Sequence, residues 1–230
     1  MTDQTLPTAP TPMDILRAIS PEGARTPIMT DTDWHIPPEW AFTFHGHRCP
    51  FMPLGYRMGL LAIEHLGVAR EMDHTLHVIC ELGDGHPQTC LMDGIQAATG
   101  ATFGKTLIEK TFWGKLAATF WYPGKPAVRC ALRADFLDEF GTQEFFTYRK
   151  RGVEPSGIPP AVTQAAIDWT LALSDEGIYR VQARPDFQYQ PPKGSFNKSL
   201  CSKCGEYVFE RYVRHQDGKP VCIPCSGYGR

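Results

Sequence analysis

The chain lacks the features that mark membrane-spanning and secreted proteins. No stretch of its 230 residues approaches the roughly 18 uninterrupted apolar residues that a bilayer-spanning helix needs. Residues 1–12 carry neither a basic patch nor an apolar run, so they do not predict a secretory signal. We therefore expect a cytoplasmic protein with no membrane partner, whose cysteines stay reduced and available to bind metal.

The chain also has little net charge and no phosphate-binding loop. Its formal charge of −2 gives no reason to expect nucleic acid as a partner of the whole chain. Residues 99–106 look like a Walker A loop, but three residues separate Gly100 from Gly104, one fewer than that motif requires. The preceding segment is also predicted to be a helix, where the motif follows a strand. Lys105 is therefore either solvated or lends its charge to a nearby site.

Four of the eight cysteines form two C-x2-C pairs near the end of the chain. Cys201 and Cys204 make the first pair, Cys222 and Cys225 make the second, and seventeen residues lie between the pairs. This spacing is typical of a closed zinc site, in which four thiolates surround the metal at about 2.3 Å. Because four thiolates leave no open coordination position, we predict a structural zinc finger here and look elsewhere for chemistry.

A second group of candidate ligands occurs in residues 44–50, FHGHRCP. If this segment is extended, His45, His47 and Cys49 point to the same side. Pro50 is suited to the first turn of a following helix, whose N-terminus would lower the pKa of Cys49. The three side chains therefore indicate a transition-metal site or an activated thiol, and the alternative is that they are ordinary buried residues.

A third segment, residues 81–96, leaves a predicted strand, crosses a Gly/Pro loop and enters a helix. Ligand sites of α/β proteins often lie at such positions. Cys90 precedes the helix and would be a further soft ligand, while His86 is a weaker candidate. Asp93 would either complement the helix dipole or, with Lys105, interact with the metal ligands without touching the metal itself.

Periodicity predicts an α+β or α/β core with a mixed sheet. The predicted helices are residues 53–66, 91–98 and 160–173, and the predicted strands are residues 74–82, 106–110, 117–122, 127–132 and 178–183. The predicted domains are an N-terminal tail at 1–33, a core at 34–187, a linker at 188–195 and a zinc finger at 196–230. Four aromatic residues and two cysteines are expected in the core of the sheet: Phe112, Trp113, Phe120, Trp121, Cys80 and Cys130.

Several of these motifs together resemble the FmdE-like family, which is named after a component of formylmethanofuran dehydrogenase. The family patterns are F-H-G-H-x-C-P-G, G-Y-R, C-x-x-D-A-I-Q, T-G-C-T-F-G-K and a final C-I-P-C. The corresponding segments here are FHGHRCP at 44–50, GYR at 55–57, CLMDGIQ at 90–96, TGATFGK at 99–105 and CIPC at 222–225. The resemblance covers roughly residues 34–227.

The resemblance implies a thioredoxin-like α+β core, a mixed sheet of about five strands flanked by helices, and a C-terminal treble-clef zinc finger. It also implies a metal site, with zinc or another transition metal, built from His45, His47, Cys49 and Cys90. Two departures are visible: Ala101 replaces the family's cysteine, which removes any redox role for that thiol, and the loop at residues 86–89 is altered.

Three hypotheses about function follow. The first is a metal-binding partner of a molybdenum or tungsten oxidoreductase, with an open position on the core metal. If that centre is itself catalytic, the acting residues would be His47, Cys49 and Lys105. The second is a binding module whose finger, with a net charge of +3 over residues 196–230, docks a protein or nucleic acid. The third is a redox protein acting through Cys49. A homodimer is expected, because a small finger on a proline-rich linker can pack on a neighbouring protomer.

Overall fold

The structure is a computed structural model that describes residues 35–85 and 88–228. The predicted N-terminal tail and the candidate ligand His86 lie outside the described residues. The chain divides into two compact units between Gln188 and Tyr189. None of the described helices is long and apolar enough to cross a membrane.

The first unit is built around a five-stranded mixed sheet. Its strands are β1 (His77–Cys80), β2 (Ile108–Lys110), β3 (Ala117–Trp121), β4 (Ala127–Leu132) and β5 (Tyr179–Arg184). They are arranged in the order β2-β1-β3-β4-β5, with β1 and β2 parallel and the other neighbours antiparallel. The predicted α+β fold class is confirmed.

Helices follow and connect these strands. They are α1 (Glu39–His45), α2 (Phe51–Leu66), α3 (Cys90–Thr99), α4 (Ala134–Phe140), α5 (Glu144–Lys150), α6 (Pro160–Ala172) and α7 (Asp175–Ile178). The helix α3 is the crossover that lets β1 and β2 run parallel, as parallel neighbours require. The short helices α1, α4 and α5 were not predicted, because seven residues give too little periodicity and their aromatic residues favour strands.

Two residues of the predicted core lie outside it, although the strand β1 is buried along its whole length. Phe112 and Trp113 are each 63% exposed, in the loop between β2 and β3, rather than in the core. Phe120, Cys80 and Cys130 are fully buried, as predicted.

The helices α2 and α3 pack against each other through glycines. A Cβ atom added to Gly55 would lie 1.9 Å from the carbonyl oxygen of Leu91, and one added to Gly94 would lie 2.1 Å from the carbonyl oxygen of Met52. No side chain fits at either position, so the backbones approach directly. Because Gly55 lies beside Leu91 and Gly59 lies beside Ala98, the two helices run parallel and begin at the same end of the unit.

Buried polar contacts anchor α2 to the remainder of the unit. Nη2 of Arg57 contacts Oδ1 of Asp175 at 2.7 Å and donates to the carbonyl oxygen of Leu173 at 2.9 Å. The Tyr179 hydroxyl donates to the carbonyl oxygen of Leu54 at 2.7 Å. These bonds satisfy polar groups that would otherwise be costly to bury, and they fix the position of α2.

The second unit consists of two hairpins and a short helix. The first hairpin pairs β6 (Lys198–Leu200) with β7 (Tyr207–Phe209), the second pairs β8 (Arg214–Gln216) with β9 (Lys219–Val221), and α8 (Ile223–Ser226) follows. The first C-x2-C pair begins at Cys201, directly after β6, and the second begins at Cys222, directly after β9. This architecture is compatible with a small zinc finger.

We expect Gly55→Ala to lower the free energy of unfolding of the first unit by about 3 kcal/mol, because the new methyl group forces two backbones apart. Gly104→Ala is the matched control, since an added Cβ there meets nothing within 4 Å. It should leave the free energy unchanged or raise it by up to about 1 kcal/mol. Urea unfolding followed by tryptophan fluorescence reports on this unit, because all five tryptophans precede residue 189. Equal stability of the two variants would contradict the packing described.

Candidate metal centres

The core unit brings four predicted ligand residues together. They are His45, His47, Cys49 and Cys90, and one ligand atom from each lies within 4.8 Å of the others. His45 is the last residue of α1, Cys49 comes shortly before α2, and Cys90 is the first residue of α3. The parallel packing of α2 and α3 therefore explains why two cysteines far apart in sequence meet.

The segment from His45 to Cys49 is a helix end followed by a turn, and the predicted extended conformation is wrong. Gly46 has a φ of +89° and ends α1, with its N–H donating to the carbonyl oxygen of Phe42 at 2.9 Å. A left-handed residue of this kind suits glycine. The turn brings the rings of His45 and His47 to a centroid distance of 4.3 Å.

The two thiols are buried at helix N-termini. Cys49 is 1% exposed and Cys90 is 3% exposed. Burial alone would raise the pKa of Cys49, but hydrogen bonds from Cys90 and from the N–H groups of Met52 and Phe51 lower it below its ordinary value. The hydrogen bond with Cys49 and burial raise the pKa of Cys90. The two thiols therefore titrate as a coupled pair in which ionisation is favoured at Cys49.

Asp93 holds the ring of His45 in place. Nδ1 of His45 lies 2.8 Å from Oδ2 of Asp93, and Nε2 lies 3.6 Å from Sγ of Cys49. Burial lowers the pKa of His45, but hydrogen bonds with Asp93 and Cys90 more than offset it and raise the pKa to about 9. A carboxylate on one ring nitrogen, with the other nitrogen facing soft ligands, is the usual environment of a metal-binding histidine.

The distances in this cluster fit a metal ion. Bonds of about 2.3 Å to sulfur and about 2.0 Å to nitrogen place neighbouring S and N ligands about 3.6 Å apart in a tetrahedron. The observed separation between Sγ of Cys49 and Nε2 of His45 is 3.6 Å. Four such donors complete a tetrahedron, so the predicted open position would require a fifth ligand site or the departure of one residue.

Lys105 lies at the other end of α3. Its Nζ donates to the carbonyl oxygen of Glu71 at 3.4 Å, and the N–H of Glu71 donates to the carbonyl oxygen of Thr99, the last residue of α3. A helix of this length separates Lys105 from Cys90 by roughly 14 Å, at about 1.5 Å per residue. The geometry therefore gives no support to a shared role for Lys105 and the core cluster.

Arg149 influences the cluster, and sequence reasoning missed it. Burial and the charge of His45 lower the pKa of His47, Cys90 partly offsets them, and the charge of Arg149 adds a smaller lowering effect. Arg149 belongs to α5, which packs through Phe146 against Phe51, at a ring-centroid distance of 6.0 Å. No local motif marks Arg149, because about a hundred residues separate it from the histidines.

The finger cysteines form a second cluster with the same dimensions. Ligand atoms of Cys201, Cys204, Cys222 and Cys225 lie within 4.8 Å of one another, and Sγ of Cys204 lies 3.9 Å from Sγ of Cys222. The N–H groups of Cys204 and Cys222 lower the pKa of Cys201 to about 6. A hydrogen bond with the side chain of Cys222, together with burial, raises the pKa of Cys225 to about 12. A metal cation would remove this competition, so this group too could hold a metal ion.

We expect the cysteines to differ sharply in their reactivity toward iodoacetamide at neutral pH. Burial raises the pKa of Cys80 and of Cys130 to about 12, so each carries roughly a thousandfold less thiolate than a free cysteine. Both should stay unlabelled, with or without a chelator, while Cys204, which is exposed, should become reactive if the chelator removes a metal from its cluster. Mass spectrometry of the peptides measures this. Rapid labelling of Cys80 or Cys130 in the folded protein would contradict the core described.

Comparisons with known proteins show which proteins this chain resembles. A family model described as "FmdE, Molybdenum formylmethanofuran dehydrogenase operon" matches residues 44–179. A probable S-adenosyl-L-methionine-binding protein from Archaeoglobus fulgidus is 28% identical over 201 residues, which are 80% of this chain and 50% of that protein. The chain thus spans about half the length of this curated relative.

A solved structure supports the fold. It is the crystal structure of a tungsten formylmethanofuran dehydrogenase FmdE-like protein from Syntrophus aciditrophicus, with a TM-score of 0.51 and 20% identity. The match covers 82% of this chain and 89% of that one. Because the family model matches more than half of the residues and includes the core cluster, the chain belongs to the FmdE family.

Proposed function

We propose that the chain is a zinc-binding accessory protein of a molybdenum or tungsten oxidoreductase. One metal would occupy the core centre and another the four-cysteine group. The observation that carries the proposal is the placement of His45, whose ring lies between Asp93 on one nitrogen and Cys49 on the other. Ordinary core packing gives no reason for two buried thiols to lie beside two half-buried imidazoles and a half-buried carboxylate.

The donor set favours zinc. Thiolate and imidazole ligands in a tetrahedral arrangement suit zinc better than magnesium or calcium, which require oxygen donors. N–H groups at the N-terminus of α2 favour the thiolate of Cys49, and Asp93 orients His45. When bound, the metal would supply Lewis acidity to a ligand at an additional position, or would be held for transfer to a partner.

The accessory role is supported by the names of similar proteins. The family is described by the operon of a molybdenum formylmethanofuran dehydrogenase, and the protein from Syntrophus aciditrophicus is named after the tungsten form of this enzyme. A zinc protein that assists such an enzyme would bring a metal centre or a docking surface, while the partner supplies the molybdenum or tungsten chemistry.

We expect two metal ions per chain in protein purified without added metal, one for each cluster. The double variant Cys49→Ala/Cys90→Ala should retain one, because it removes both sulfur ligands of the core centre. Elemental analysis by mass spectrometry gives both the number and the identity of the metals.

The matched control is Cys80→Ala/Cys130→Ala, which also removes two buried thiols but leaves both clusters intact. It should keep two metal ions per chain. If wild type and the Cys49→Ala/Cys90→Ala variant carry the same number of ions, the core centre does not bind metal and the proposal is wrong.

The accessory role is tested in a host that contains a formylmethanofuran-dehydrogenase-type oxidoreductase. We expect deletion of this chain to lower the activity of that enzyme severalfold, and reintroduction of the wild-type chain to restore it. The Cys49→Ala/Cys90→Ala variant should fail to restore activity, while Cys80→Ala/Cys130→Ala should succeed. Enzyme activity and its molybdenum or tungsten content are measured together. Unchanged activity after deletion would exclude the accessory role but leave metal binding intact.

A further inference from the structure

Asp93, which holds His45, is itself held by a buried glutamine. Gln96 lies one helical turn further along α3 and is 7% exposed. Its Nε2 donates to Oδ1 of Asp93 at 3.1 Å, and its Oε1 accepts the N–H of Phe103 at 2.8 Å. The backbone of the loop after α3 is thus linked to Asp93, and through Asp93 to His45, by three hydrogen bonds in series.

The chemistry of these groups determines which one donates and which one accepts in each of the three hydrogen bonds. A backbone N–H can only donate, so the side-chain atom of Gln96 that faces Phe103 must be the oxygen. The amide nitrogen therefore faces Asp93, whose carboxylate can only accept. With Oδ1 of Asp93 occupied in this way, Oδ2 is directed to Nδ1 of His45, at 2.8 Å.

We infer that Gln96 is a positioning residue of the core metal centre, which acts on the metal through Asp93 and His45. By holding the Asp93 carboxylate in one orientation, it keeps the proton of His45 on Nδ1 and leaves Nε2 facing Cys49. The inference rests on the proposed metal binding at this centre. Removing a residue that supports a metal ligand by hydrogen bonding typically weakens metal binding 10- to 100-fold.

A purely structural role for Gln96 makes a different prediction. In that case its function is only to satisfy the buried N–H of Phe103, and metal affinity should not depend on its amide nitrogen. The variant Gln96→Glu separates the two roles. One carboxylate oxygen can still accept the N–H of Phe103, but the other faces the Asp93 carboxylate and repels it instead of donating to it.

The test measures the zinc dissociation constant of the core centre by competition with a chelator, in the full chain. For Gln96→Glu we expect a constant about 10- to 100-fold higher than that of wild type. The four-cysteine centre in the same molecule should be unchanged and serves as an internal reference. The matched control is Gln164→Glu, because Nε2 of Gln164 donates to Oδ1 of Asp168 at 2.7 Å on the exposed face of α6. This control should bind zinc like wild type.

Two further measurements keep the inference testable. Cobalt substitution gives an absorption spectrum that depends on ligand geometry, and Gln96→Glu should change the core spectrum while Gln164→Glu does not. In an Asp93→Asn background, Gln96→Glu should have little additional effect on zinc affinity, because the two residues act in series. If Gln96→Glu does not fold, Gln96→Met, which keeps the side-chain length, takes its place.

The outcomes distinguish the two proposals. If wild type binds zinc at the core centre and Gln96→Glu shows the same affinity and cobalt spectrum, the role of Gln96 is overturned and metal binding stands. If the wild-type core centre binds no zinc or cobalt, both proposals are overturned together. If Gln96→Glu weakens zinc binding by the same factor in the Asp93→Asn background as in wild type, Gln96 does not act through Asp93 and its proposed role is also overturned.

Discussion

The direct contact between the backbones of α2 and α3 is the constraint on which the core centre depends. Gly55 and Gly94 remove the side chains that would separate these helices, and the parallel packing places both N-termini at one end of the unit. Cys49 and Cys90 therefore meet, although neither belongs to a local metal-binding motif with the other. Hydrogen bonds from the buried Arg57 side chain to Leu173 and Asp175 then hold α2 against the later part of the unit. The cluster therefore lies on a helix that is fixed in the core.

The two clusters stabilise sulfur by the same physical means on different scaffolds. In the core, N–H groups at the start of a long helix donate to Cys49, whereas in the finger the N–H groups of Cys204 and Cys222 donate to Cys201. In both places the pKa of a second thiol is raised, because ionising it beside a neighbouring thiolate is unfavourable. The difference lies in burial: packed helices enclose both core sulfurs, whereas Cys204 in the finger is exposed.

The sequence was sufficient to predict the α+β class and the residues of both clusters, but not the geometry of the core site. The finger follows from spacing alone, because each pair of cysteines lies within one turn. The core ligands were predicted partly from alternation in an extended segment, yet the structure joins them through the helix end at Gly46. Gln96 and Arg149 could not be assigned from sequence, because their roles depend on tertiary contacts and on which face of α3 or α5 is buried.

The close approach of α2 and α3 also bears on which ions the core centre accepts. A site whose sulfurs are carried by side chains on flexible loops can expand to fit a larger cation. Here Cys90 begins α3 and Cys49 lies just before α2, and the backbones of these helices meet where no side chain fits. Moving the two helix N-termini apart would break this main-chain packing. A metal bound between the two thiols would therefore have to fit a gap that the packed helices hold constant.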